Sequence, residues 1–136
     1  TTDPGDDYMN DPIVKEKGCA ILKEGQYRGS HKIRLHAGKY PALGQKKPVK
    51  VYRDNNNDNK YDRNEAKVDE GLFGINIHRA TSRAGKTSTY VDKWSAGCQV
   101  ISSNDDWNKF LKICERARDI HGNSFSYTLL SSKDIV

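Results

Sequence analysis

The chain has 136 residues, room for one modest core, and carries 23 Lys and Arg against 18 Asp and Glu, a net charge of +5. Hydrophobic residues make up 35 % and charged residues 30 %, and no apolar run approaches the roughly 18 residues of a membrane-spanning helix, which excludes such a span. The basic residues are scattered among acidic ones with no zinc-finger or RNA-recognition pattern, so the charge reads as a solvated basic surface and nucleic acid is not an expected partner.

Residues 1–12, with Asp3, Asp6, Asp7, Asp11 and two prolines, read as a flexible tail or linker. From residue 13 to 136 the texture is that of one domain. Short apolar runs at 20–22, 32–35 and 49–52 predict strands. The clearest strand is 72–78, where Ile75 and Ile77 alternate with Asn76 and His78. Residues 98–101 and 125–129 follow the same logic. Between them one helix is predicted, capped by Ser102 or Ser103, with Asp105 and Asp106 in its first turn and Gly122 at its end. Trp107, Phe110, Leu111, Cys114 and Ala117 recur at helical spacing and form its buried stripe. The fold class is therefore mostly β with one main α-helix after the cysteine strand.

Three cysteines, Cys19, Cys98 and Cys114, are too few and too widely spaced for a disulfide framework or a zinc site. Cys114 lies on the core stripe, and Cys19 reads as a buried strand-edge thiol. Cys98 differs, because Gly97 before it leaves room for a carbonyl to approach. The Gly97 and Cys98 backbone N–H groups are candidates to face a developing oxyanion. His78 is the candidate base, expected to lower the thiol pKa and take its proton. Asn76, on the same strand face, can orient the imidazole, and a backbone carbonyl can do so equally well. A buried structural thiol at Cys98 is the competing reading. His31, His36 and His121 read as solvated or capping residues.

His78, sixteen intervening residues, then Ser95-Ala96-Gly97-Cys98 resembles the L,D-transpeptidase catalytic-domain signature, in which a His is followed at this distance by Ser or Thr, His, Gly and Cys. The wider stretch 71–80, with Trp94 to Val100, is similar to variants in phage and bacterial cell-wall proteins. The resemblance implies a β-sandwich or barrel-like fold and Cys–His acyl transfer on the peptide stems of peptidoglycan. Cys98 would be the nucleophile and His78 the base, with Ser95 and Gly97 shaping the oxyanion side. Arg79, Tyr90, Lys93 and Trp94 are substrate-binding candidates by sequence proximity. Two departures stand out: Ala96 replaces the signature's second His, and Gln99-Val100 replaces an apolar residue followed by Arg or Asn. With Ala96 beside the nucleophile and no acceptor-binding feature legible, hydrolysis is expected to exceed transpeptidation. No organic cofactor is implied, and the setting would be secreted, periplasmic, or phage virion or lysis associated. The alternative is a non-catalytic cell-wall-binding or virion module of the same fold, stabilised by calcium.

Residues 54–65 carry a separate pattern. Counting from Asp54, oxygen side chains fall at positions 1, 3, 5, 9 and 12 (Asp54, Asn56, Asp58, Asp62 and Glu65), and Lys60 at position 7 offers its carbonyl. A twelve-residue calcium loop uses these positions and ends in a bidentate glutamate. Asn59 stands where such loops have glycine, and Asn tolerates positive φ better than most residues. A structural Ca²⁺ embedded in the β domain is the expectation, against an ordinary solvated turn.

Overall fold

The computed structural model describes residues 20–53, 67–89 and 97–135. Within them the chain forms strands β1 (Ala20–Leu22), β2 (Gly25–His36), β3 (Tyr40–Gln45), β4 (Val49–Arg53), β5 (Val68–Gly71), β6 (Ile77–Arg79) and β7 (Gln99–Ile101). Helix α1 (Asn104–His121), strand β8 (Phe125–Leu129) and a 3-10 turn (Ser132–Asp134) follow. Two sheets result, one in the order β1-β4-β5 and one in the order β7-β6-β3-β2-β8. All described pairings are antiparallel except β6 with β7, which run parallel. The protein is mostly β with one long helix, as its residue pattern predicts.

The helix is built as expected. Ser103 accepts a hydrogen bond from the Asp106 N–H, Asp105 and Asp106 occupy the first turn, and Gly122 donates its N–H to the Arg118 carbonyl at φ +96°. Its stripe is buried at Trp107 and Cys114 and half-buried at Phe110, Leu111 and Ala117. It packs on Ile33, Ala42, Leu43 and Ile77 of the larger sheet. A second cluster, Ala20, Leu22, Val49, Val51 and Ile75, joins the smaller sheet to Tyr27, Phe73, Tyr127 and Leu129.

The expected strand over 72–78 is not formed in full. Only Ile77–Arg79 is strand, and Leu72 stays 64 % exposed. The chain leaves β5 at Gly71 and crosses from one sheet to the other through 72–76, turning at Gly74 with φ +69°. The backbone groups there find a side chain instead of a strand. Buried Gln45 accepts from the N–H of Phe73 (3.3 Å) and of Ile75 (2.8 Å) through Oε1. Its Nε2 donates to the carbonyls of Lys47 and Gly71, both at 2.9 Å. One amide thus satisfies four backbone groups. Strand β3 has no counterpart among the predicted elements, because Pro41 and the run of burial through Ala42, Leu43, Gly44 and Gln45 erase the alternation of a half-exposed strand.

Candidate active site

The parallel pair β6–β7 sets the site. Ile77 is in register with Gln99 and His78 with Val100, and the Gln99 N–H donates to the Asn76 carbonyl at 2.9 Å. Cross-strand partners share a sheet face, and side chains alternate along each strand. His78 and Val100 therefore project from one face, and Cys98, two residues before Val100, continues that face beside Asn76. By that alternation Cys98, immediately before β7, falls on the His78 side of the sheet, although nineteen residues of chain separate the two.

His78 is 5 % exposed, and its Nδ1 sits 2.9 Å from the Arg79 carbonyl oxygen. A carbonyl only accepts, so in the neutral ring the proton is on Nδ1 and Nε2 keeps its lone pair. That is the tautomer a general base needs. A backbone carbonyl thus orients the ring. The Oδ1 of Asn76 accepts from the Gln45 N–H at 3.0 Å, which ties that side chain to the sheet. Burial holds His78 below the usual histidine range, against the pull of its backbone hydrogen bond.

Cys98 is half-buried, and its thiol donates to the Gly74 carbonyl at 3.3 Å. Burial pushes the thiol above the ordinary cysteine value, and a hydrogen bond with the Asn76 backbone works the other way. The expectation of a lowered thiol pKa is therefore overturned. A buried neutral imidazole supplies no positive charge, and desolvation is left as the dominant influence. Both groups rest uncharged at neutral pH.

The environment of Gly97 also differs from expectation. Its φ is +120°, and a Cβ there would sit 2.6 Å from the Ala20 carbonyl oxygen and 3.3 Å from Ile75 Cδ1. The space expected for an approaching substrate is filled by β1 itself. Glycine is required for the turn and for this close approach.

Two histidines read as solvated or capping are neither. His36, at the tip of β2, stacks on His78 with ring centroids 4.5 Å apart and planes inclined by 22°. Burial and the neighbouring His78 and Arg34 charges hold its pKa down. The hairpin register His36↔Tyr40 brings it there, which a local sequence window does not show. His31 is 1 % exposed, with Nδ1 2.7 Å from Ser30 Oγ and Nε2 2.8 Å from the Ile75 carbonyl. Arg79 holds its guanidinium 3.9 Å from the centre of the Tyr40 ring.

Ser95, Tyr90, Lys93 and Trp94 lie outside the described residues, as do Cys19, the tail 1–12 and the calcium-type residues Asp54, Asn56, Asp58, Lys60, Asp62 and Glu65. Among the described residues no group of three or more His, Cys, Asp or Glu side chains is placed to hold a metal, and no helix is long and apolar enough to cross a membrane. Comparison with family models, with curated proteins and with solved structures returns no match for this chain.

Proposed function

We propose that this protein is a cysteine-dependent enzyme of the L,D-transpeptidase type that cleaves peptide stems of peptidoglycan, with hydrolysis favoured over transfer. The observation that carries the reading is the β6–β7 pairing, whose alternation puts Cys98, immediately before β7, on the side of His78, with Nδ1 of His78 engaged and Nε2 left as base. In the acylation step the thiol Sγ attacks the amide carbonyl while its proton passes to Nε2. The tetrahedral intermediate collapses, the C–N bond breaks, and the imidazolium returns the proton to the departing amine. Water then attacks the thioester, its proton again taken by His78 and delivered to the leaving thiolate. Starting from a neutral thiol makes this general-base route the natural one, since no thiolate is stored beforehand.

The test is digestion of purified sacculi and of disaccharide-peptides, with products identified by mass spectrometry. Native protein should release cleaved stems, and Cys98→Ala and His78→Ala should release none above background. Equal products from native protein and Cys98→Ala would place the chemistry elsewhere. No products from the folded native protein would return Cys98 to the role of a half-buried structural thiol held by the Gly74 carbonyl, in a binding module of the same fold. Adding excess D-amino acid tests the preference: predominantly exchanged stems would make it a transpeptidase, with the same nucleophile.

A further inference from the structure

Beside the His36–His78 stack lies a groove of about 770 Å³. Its wall continues from the two imidazoles through Lys39, Arg79, Arg83 and Lys86, with hydroxyl side chains from Thr81, Ser82, Thr87 and Ser88 between them. Among the described residues that line it there is no carboxylate. Among the described residues, none of these four cations takes part in a salt bridge. The turn carrying Arg83 and Lys86 is closed by a hydrogen bond from the Lys86 N–H to the Arg83 carbonyl at 3.1 Å. The Asp105 carboxylate accepts from the Gly85 N–H of the same turn at 3.3 Å and is not among the residues that line the groove. Arg79 is fixed over the Tyr40 ring, a contact that holds its charge in place without neutralising it.

Four like charges around one concavity repel one another, and an anion seated among them relieves that repulsion. The volume falls within the range of about 300–1,000 Å³ typical of sites for small molecules and short peptides, not that of a track for a long polymer. We infer that this groove binds the carboxylates of a short anionic peptide and holds it beside His78 as the acyl donor. Its identification as the donor rests on the function proposed above, since a group acting on amides meets carboxylates on the same substrate. Arginine pairs with carboxylates in a fixed bidentate geometry, whereas the lysines act as point charges, so Arg79 and Arg83 should set position and Lys39 and Lys86 attraction.

The experiment measures binding to full-length Cys98→Ala, which retains the groove and cannot turn substrate over. The probes are a stem tetrapeptide with free carboxylates, the same peptide fully amidated, and a short single-stranded DNA. The free-carboxylate peptide should bind at least about tenfold more tightly than the amidated one at low salt, with the gap narrowing at high salt. Adding Arg83→Gln and Lys86→Gln together, on an exposed turn, should remove most of that gap; Lys39→Gln alone should reduce it. Equal affinity for the two peptides, or a gap unchanged in both sets of variants, overturns the inference. Tighter binding of the DNA than of either peptide also overturns it and makes the groove a phosphate surface. Sacculus digestion by the native protein reads chemistry separately. Digestion without carboxylate preference sinks the groove alone, and preference without digestion leaves the groove as a peptide-binding site while sinking the enzyme.

Discussion

The resting charge state of Cys98 and His78 decides how the pair can work. A thiol pushed up and an imidazole pushed down, both by burial, form a neutral pair instead of a stored thiolate–imidazolium. Two measurements follow. Iodoacetamide labelling of Cys98 should rise with pH through a midpoint above that of an unstructured cysteine, about 8.5. A midpoint below that value would restore the ion-pair picture. Catalysis needs the uncharged imidazole, so kcat/KM for stem cleavage should fall with acid only below about pH 6.5, and His36→Ala should move that limb upward. The sign of the second shift follows from the stack: His36 shields the ring from water, and its removal eases protonation of His78. A limb that stays fixed or moves down in His36→Ala would show that the stack does not tune the base.

At the level of elements, the site depends on how the chain crosses between the two sheets. Gln45 anchors that crossing, and the carbonyl of Gly74 within it receives the Cys98 thiol proton. Gln45→Leu keeps the bulk but strands the Ile75 N–H and its neighbours, so unfolding free energy should drop by about 2–4 kcal/mol in urea titrations. A loss within about 0.5 kcal/mol would mean water or a shifted backbone takes over. Gly97→Ala meets both a left-handed φ and the Ala20 carbonyl, which cannot swing aside as a long side chain could. It should cost about 1–3 kcal/mol or more. Gly44 makes an instructive contrast, because a Cβ there would strike the guanidinium group of Arg34, a flexible chain lying across the strand. The same substitution at that position should displace Arg34 at a smaller cost in stability.

For the whole molecule, the buried imidazoles make stability depend on acid. His31, His36 and His78 are all held below the ordinary histidine value, with burial the first cause in each. The unfolded chain therefore binds protons more readily than the folded one near pH 6. Their stabilising contribution is present above about pH 6.5 and is lost as pH falls toward the folded-state values. Melting temperature should decline from pH 7 to pH 5, and His31→Gln should flatten that decline; an unaltered slope would assign the acid sensitivity elsewhere. The calcium-type residues stand in the connection between β4 and β5, whose pairing Tyr52↔Val68 fixes its two ends side by side. If Asp54, Asn56, Asp58, Asp62 and Glu65 hold one Ca²⁺, melts should rise with calcium, fall with chelator and lose the difference in Asp58→Ala. At a hundredfold excess over Kd the gain is about 2.7 kcal/mol. Melts insensitive to calcium and chelator would return the segment to a polar turn.

Helix α1 was legible residue by residue, because its cap, its acidic first turn, its stripe and its terminal glycine are all local signals with fixed spacing. The mostly β class was legible too, from short apolar runs between turn residues. Cys98 and His78 stood out by type and spacing, yet spacing carries no charge state, and the direction of the thiol pKa came from burial that only packing creates. The five-residue shortening of the 72–78 strand had no sequence signal, since it depends on Gln45 reaching across from another strand. His36 entered the site through hairpin register, and the cationic groove exists because β2, β3 and the segment after β6 meet in space. Local residue pattern determined which elements form and which side chains carry chemistry. Long-range pairing decided what surrounds them, because register, burial and desolvation belong to the folded chain.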